Sequence, residues 1–255
     1  MSSRSHRLNQ ERFSRTAELF AANRAVERLS QVDSLFHLAA PTREDLLLDV
    51  ACGPGRLLAT CAPRIRMAVG LDLTLEMLRI ARRASGQGAH VLLVLGEGER
   101  LPFPDGTFTL VTTTLAIHHY AEPRRVVEEM VRVCRAGGRV AVGDTVGESD
   151  EAKRARQNEI ERLRDPSHVE LLSPKGLEAL LTSCGLEVAG RASGSIVREF
   201  GEWCRVAGTP PQVAARVRAA LLETRAGDLA GMAPVLAGEE LRFRHNWMNI
   251  VCRRP

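Results

Sequence analysis

The sequence predicts an open α/β sheet, and three observations carry that prediction. Apolar runs of strand length alternate with amphipathic helical stretches from about residue 46 to residue 192. The runs are continuously apolar, as strands covered by helices on both faces are. The first of them, "LLLDV", ends beside an acid and breaks into Gly53, Pro54 and Gly55, where open α/β sheets hold ligands.

Each element follows from its own pattern. "LLLDV" reads as a buried strand, "GRLLATCA" as a helix, "RMAVGLDL" as a strand and "TLEMLRIARRA" as a helix. "AHVLLVLG" and "FTLVTTTLA" are strands, "EPRRVVEEMVRVCRA" a helix, "GRVAVGDTV" a strand, "SPKGLEALLTSC" a helix and "LEVAGRAS" a strand. "EELRFRHNWMNIVCRRP" reads as a last strand at or near a sheet edge. Gly185 and the pair Gly137–Gly138 are read as helix C-caps. Residues 1–40, 147–170 and 198–239 fall outside the alternation and look helical, which suggests lids over the carboxyl ends of the strands.

With 255 residues, 44% of them hydrophobic and 26% charged, the chain suits one core with an elaboration. No run approaches the length of a membrane span, and the first residues lack the apolar stretch of a signal peptide, so a cytoplasmic protein is expected. The six cysteines form no CxxC and no Cys/His cluster, which argues against a zinc site or a disulfide framework; no metal is expected. The net charge of +4 comes from scattered arginines mixed with acids, and aromatic residues are only 4%, so nucleic acid is a minor hypothesis.

Asp49 closes the first strand, and Gly53 and Gly55 let the chain turn sharply while baring backbone N–H groups. Asp72 ends the second strand, 72 − 53 = 19 positions after Gly53, where an acid accepts hydrogen bonds from both hydroxyls of a ribose. A dinucleotide fingerprint would continue with a third glycine or alanine. Leu58 stands there instead, against a nicotinamide oxidoreductase.

In these motifs the sequence resembles the class I S-adenosylmethionine-dependent methyltransferases. Asp49-Val50-Ala51-Cys52-Gly53-Pro54-Gly55 matches their first motif, and the likeness runs through "GLDLTLEMLRIA", "GEGERLPFPDGTFTLV", "LAIHHYAEP", "VVEEMVRVCRAGGRV" and "LSPKGLEALLTSCGLEV". It is most similar to the branch containing the ubiquinone and menaquinone C-methyltransferases and related small-molecule enzymes. The resemblance implies a Rossmann-like, seven-stranded, mostly parallel sheet with an antiparallel last strand, helices on both faces and helical lid insertions. It implies residues 1–40 as an N-terminal lid and residues 41–255 as the cofactor-binding domain, with insertions near 147–170 and 198–239.

For S-adenosyl-L-methionine, the resemblance implies Asp49 on the ammonium side and the backbone of Ala51, Cys52, Gly53 and Gly55 along the methionine and ribose. Asp72 takes the ribose diol, Leu73 and Met77 the adenine face, Glu97 and Gly98 the adenine edge; Leu115 completes the set. The family's usual aspartate is replaced by Glu97, and Phe20 stands where relatives often carry a tyrosine.

Methyl transfer is an in-line displacement that needs alignment, exclusion of water and, for some acceptors, removal of a proton. His118 and His119, at the end of the fourth strand, and His168, after the 147–170 segment, are the candidate catalytic groups. Phe13, Phe20, Trp203, His245 and Trp247 are weighed between pocket and core. The expected function is methyl transfer to oxygen, nitrogen or carbon of a small-molecule acceptor. The alternatives are a nucleic-acid methyltransferase, for which no Asn/Asp-Pro-Pro-aromatic stretch is present, and a protein that binds the cofactor for another purpose. The oligomeric state is left open.

Overall fold

The computed structural model describes residues 4–22, 26–85 and 90–255. Its strands are β1 (Leu46–Val50), β2 (Met67–Asp72), β3 (Val91–Leu95), β4 (Phe108–Thr114), β5 (Cys134–Val146), β6 (Glu187–Glu199), β7 (Val235–Ala237) and β8 (Glu240–Arg253). Its α-helices are α1 (Arg4–Ala22), α2 (Val26–Ala39), α3 (Arg56–Cys61), α4 (Leu75–Ala84), α5 (Pro123–Val133), α6 (Glu151–Arg164), α7 (Pro174–Ser183), α8 (Phe200–Ala207) and α9 (Pro211–Glu223).

The sheet runs β3-β2-β1-β4-β5-β8-β6, with β7 paired to β8. The first five strands along that order are parallel, while β8 is antiparallel to β5, β6 and β7. This is the expected α/β architecture, with one difference. The sheet has eight strands rather than seven, because β7 lies inside the segment expected to be wholly helical. The last strand is antiparallel and near the edge, as expected: β6 occupies the edge and β8 pairs on both sides.

Strand order reverses between β1 and β4, and the cleft at their carboxyl ends is where such sheets bind ligands. The pleat sends alternate side chains to opposite faces. Leu48 and Val50 enter the buried cluster that also holds Val126, Met130 and Leu177, from α5 and α7. Leu47 enters the other, with Leu35 and Phe36 of α2 and Leu57 and Leu58 of α3. Asp49 shares the face of Leu47, so its carboxylate is buried rather than offered to solvent. The N-terminal segment divides likewise: α2 lies against β5, β6 and β8 as part of the helical layer, whereas α1 packs on α4 and α8.

Two glycine signals had different outcomes. Gly185 follows α7 at φ +82, the left-handed conformation of a helix terminus. Gly137–Gly138 does not cap a helix, because α5 stops at Val133 and Cys134 already pairs with Phe108. The pair serves a bulge at the entry to β5, where Gly137 N–H donates to the Arg254 carbonyl and a Cβ on Gly138 would lie 2.6 Å from Cys134 Sγ. No helix among the described residues is long and apolar enough to cross a membrane.

Candidate active site

The turn after β1 is held by its own backbone. Ala51, Gly53 and Gly55 all have positive φ, at +55, +53 and +79. A Cβ on Gly55 would lie 2.9 Å from that of Ala81, so glycine allows both the left-handed turn and the close approach of α4. The bare N–H groups expected along this turn are largely committed. Cys52 N–H donates to Leu71 O, Gly55 N–H to Cys52 O, and Gly53 N–H to Asp72 Oδ2 at 2.8 Å.

Asp72 therefore ties two strand ends together, its Oδ1 accepting Thr74 N–H at 2.8 Å. It still lines the cavity above the turn, with lone pairs left on each oxygen. Burial raises its pKa. Asp49 lies beneath the same turn, where Thr112 Oγ1 donates to its Oδ1 at 2.8 Å and Oδ2 has no partner. Burial pushes the Asp49 carboxyl up to about 7, against the hydrogen bond from Thr112.

The cavity, about 1020 Å³ counted to its mouth, is walled by Ala51, Cys52, Gly53, Asp72, Leu73, Met77, Glu97, Gly98 and Leu115 among others. Asp49 and Gly55 do not reach its surface; they act from behind the turn. Gly98 is bare for a steric reason, since a Cβ there would lie 2.5 Å from Tyr120 Oη. Tyr120 lines the wall and burial raises its phenol pKa, so it remains a neutral hydroxyl. Glu97 is half-exposed, with Oε1 3.5 Å from His6 Nδ1, and His6 Nε2 lies 2.8 Å from Glu99. Tyr120, His6 and Asn9, which also line this cavity, were not singled out as site residues from the sequence.

Phe13, Phe20, Leu115 and His119 line this cavity and also a second one of about 510 Å³ counted to its mouth. Leu115 holds φ +54, a strained value for a leucine, while its N–H donates to Gly143 O. His118 and His168 line only the second cavity, together with Arg12, Glu161, Arg164 and His245. Trp203 is there too, whereas Trp247 packs over Gly194 instead.

The three candidate histidines differ in what holds them. His118 Nδ1 lies 2.6 Å from Asp144 Oδ1, and its backbone N–H donates to Asp144 Oδ2 at 3.1 Å. The Asp144 oxygen accepts, so Nδ1 carries a proton and Nε2 is the ring nitrogen left to act as a base. His119 Nδ1–H donates to Ser167 O at 3.0 Å; burial, with His118 beside it, holds its pKa far below the ordinary range. His168 Nε2–H donates to Asn158 Oδ1 at 2.7 Å, and burial lowers its pKa to about 3. His119 and His168 are thus neutral rings at pH 7, held by a carbonyl and by an amide oxygen, whereas His118 Nδ1 faces the buried carboxylate of Asp144.

Behind this cavity lies an ion-pair network. Arg12 Nη2 is 2.9 Å from Asp165 Oδ2, which also faces Arg164 at 3.7 Å. Glu161 bridges Arg164 at 3.2 Å and His245 at 2.9 Å. Burial alone would raise both carboxyls, but the guanidiniums hold them well below the carboxylate range. Among the described residues, no cluster of His, Cys, Asp and Glu could hold a metal ion.

Together, fold and turn define an α/β domain with an acid-and-glycine turn under one cavity and a second chamber beside it. Comparison with known proteins shows what the chain is similar to. Residues 48–142 match the methyltransferase domain family. The chain is 28% identical over 204 residues to the uncharacterized methyltransferase YcgJ of Bacillus subtilis, covering 79% of this chain and 81% of that one. A demethylmenaquinone methyltransferase of Thermus thermophilus is 38% identical over 106 residues, 40% of this chain and 47% of that relative, so the match spans less than half of it. The solved structure of the BH2331 protein from Bacillus halodurans superposes with a TM-score of 0.84 at 25% identity, over 89% of this chain and 99% of the other. The chain thus carries a methyltransferase-like segment over residues 48–142 and is similar to methyltransferases in sequence and fold along most of its length.

Proposed function

We propose that the larger cavity binds S-adenosylmethionine and that methyl transfer occurs across Leu115 to a small molecule in the second cavity. The observation that carries this is the shared wall: one cavity lies over the acid-and-glycine turn, the other is lined by His118, whose ring pairs with Asp144, and the same four residues line both. S-adenosylmethionine, when bound, would supply a methyl carbon on a sulfonium, open to in-line attack by an aligned nucleophile with neutral S-adenosylhomocysteine as the leaving group.

The chain's own residues fit that cofactor. Asp49, with Oδ2 unpartnered behind the turn, attracts an ammonium in the cavity through space, and that charge favours the ionised carboxylate against the cost of burial. Asp72 accepts from a ribose diol, and Gly98 leaves the space beside Tyr120 that a side chain would fill. Leu73 and Met77 give an apolar face, and Glu97 can accept from an exocyclic amine. In the second cavity His118 Nε2 takes a proton from an acceptor oxygen or nitrogen, while Asp144 orients the ring and stabilises the imidazolium. An acceptor carbon acidic enough to need a base is served equally. The chamber's volume suits a small molecule rather than a polynucleotide strand.

Calorimetric titration with S-adenosylhomocysteine tests the reading. The wild-type chain should bind, and Asp72→Ala should weaken binding by roughly a hundredfold, as loss of two hydrogen bonds to a charged group implies. No heat with the wild-type protein would sink the proposal.

A further inference from the structure

Arg12 lies on α1 one position before Phe13 and eight before Phe20, and it faces the second cavity. It is 7% exposed. Its Nη2 pairs with Asp165, yet Nε and Nη1 have no hydrogen-bond partner. Asp165 cannot supply the missing acceptors, because Oδ1 already takes Ser167 Oγ–H at 2.6 Å and Ser167 N–H at 3.0 Å, and Oδ2 is shared with Arg164. Burial lowers the Arg12 pKa to about 10, so the group is still a cation at pH 7. A desolvated guanidinium with donors left over is costly, and buried donors in native proteins find acceptors.

We propose that the methyl acceptor carries an oxyanion, a carboxylate or a phosphate ester, and that Arg12 binds it in the second cavity. This rests on the two-cavity reading above and names the chemistry of its second chamber. The walls around Arg12 give the rest of the molecule its character. Phe13, Phe20, Leu171 and Trp203 are apolar or aromatic, so an acceptor with an apolar body and one anionic end fits both kinds of surface. Arg12 holds the anionic end, and His118 serves the nucleophilic atom at another point of the same chamber. Arg12 touches the substrate but takes no part in the proton transfer, which makes it a specificity residue.

The test uses the full chain saturated with S-adenosylhomocysteine, titrated with benzoate, phenyl phosphate and the neutral isostere benzamide at millimolar concentrations. Benzoate or phenyl phosphate, whichever source of the oxyanion the chamber accepts, should bind at least roughly tenfold tighter than benzamide. Arg12→Gln should remove that preference while Arg12→Lys keeps part of it, with S-adenosylhomocysteine affinity unchanged in both. Equal binding of anion and amide, as expected if water satisfies Arg12, overturns the inference without a variant being made. So does a preference that survives Arg12→Gln, or the failure of both anions to bind. If S-adenosylhomocysteine itself fails to bind, the two-cavity reading has failed first, and the two results are told apart in one experiment.

Discussion

The two cavities meet at Leu115 but are built from opposite kinds of sequence. The larger one is made of short contiguous stretches, residues 51–54, 71–74 and 96–99, whose shape follows from backbone conformation: left-handed turns, a strand-end acid tied to amides, a glycine that must stay bare. The second is assembled from single side chains far apart in the chain, Arg12, His118, Glu161, Arg198 and His245, held by ion pairs and ring contacts. A turn of that kind can be read from spacing, because each residue type is there for a local reason. A side-chain network cannot, because the reason for each member is another member outside its own element: Asp165 lies 165 − 12 = 153 positions after Arg12, and His245 lies 245 − 161 = 84 after Glu161.

The strongest way to break this contrast is at Asp144. If the second cavity depends on side-chain alignment, Asp144→Asn should lower kcat by about a hundredfold or more, as mispositioning a general base does, with S-adenosylhomocysteine affinity unchanged. Asp144 also accepts the His118 and Thr145 amides, so a merely structural role has to be separated. A changed pH profile of kcat, and recovery of His118→Ala by added imidazole, would follow from proton transfer and not from a loosened loop. An Asp144→Asn enzyme with normal kcat and pH profile would remove His118 from the proton transfer.

What the sequence made legible divides along the same line. The strand-end acids, the glycine turn and the order of alternating elements were readable because continuous apolar strands and bare turns have local causes. Asp144 carried the same signal as Asp49 and Asp72, an acid near the end of a buried strand, and could have been found by it. Arg12 could not: in a helix with His6, Arg7 and Arg15 it looks like one more solvated base, and only the pairing with Asp165 brings it inside. The misread Gly137–Gly138 has the same origin. Helical propensity runs past Val133, but pairing of Cys134 with Phe108 wins over it. β7 was invisible because three residues carry no periodicity of their own.

On the cofactor side, Asp49 offers a test by pH. Its carboxyl, ordinarily near 3.8, is raised to about 7 in the folded chain. The native state therefore holds an extra proton between those values, so the contribution of protonated Asp49 to stability is present in full below about 3.8, falls as pH rises through that window and is gone above the folded pKa. Asp49→Asn removes this penalty. Without ligand, the variant's thermal stability relative to wild type should improve between pH 5 and pH 8, by a few kcal/mol at most, since each pKa unit corresponds to about 1.4 kcal/mol. With S-adenosylhomocysteine the advantage should shrink, because the ligand's ammonium then favours the ionised carboxylate from across the turn. A stability difference that does not vary with pH would mean that the carboxylate is solvated despite its place beneath the turn.

The smallest effect is expected where the cofactor cavity uses a side chain in place of backbone. Glu97 is longer than the aspartate usual in related sequences, and its added methylene brings Oε1 to 3.5 Å from His6 on α1. That carboxylate is 43% exposed, so the pair is screened by solvent, and His6 keeps its closer contact with Glu99 whatever stands at 97. Glu97→Asp should consequently change S-adenosylhomocysteine affinity by less than about fivefold, the range of exposed ion pairs. Calorimetry at low and at high salt separates two outcomes. A small, salt-sensitive change fits a side chain at the rim of a site whose geometry is set by its turns. A large, salt-insensitive one would mean that this cavity, too, depends on a side chain reaching an exact length, and the contrast with the acceptor chamber would no longer hold.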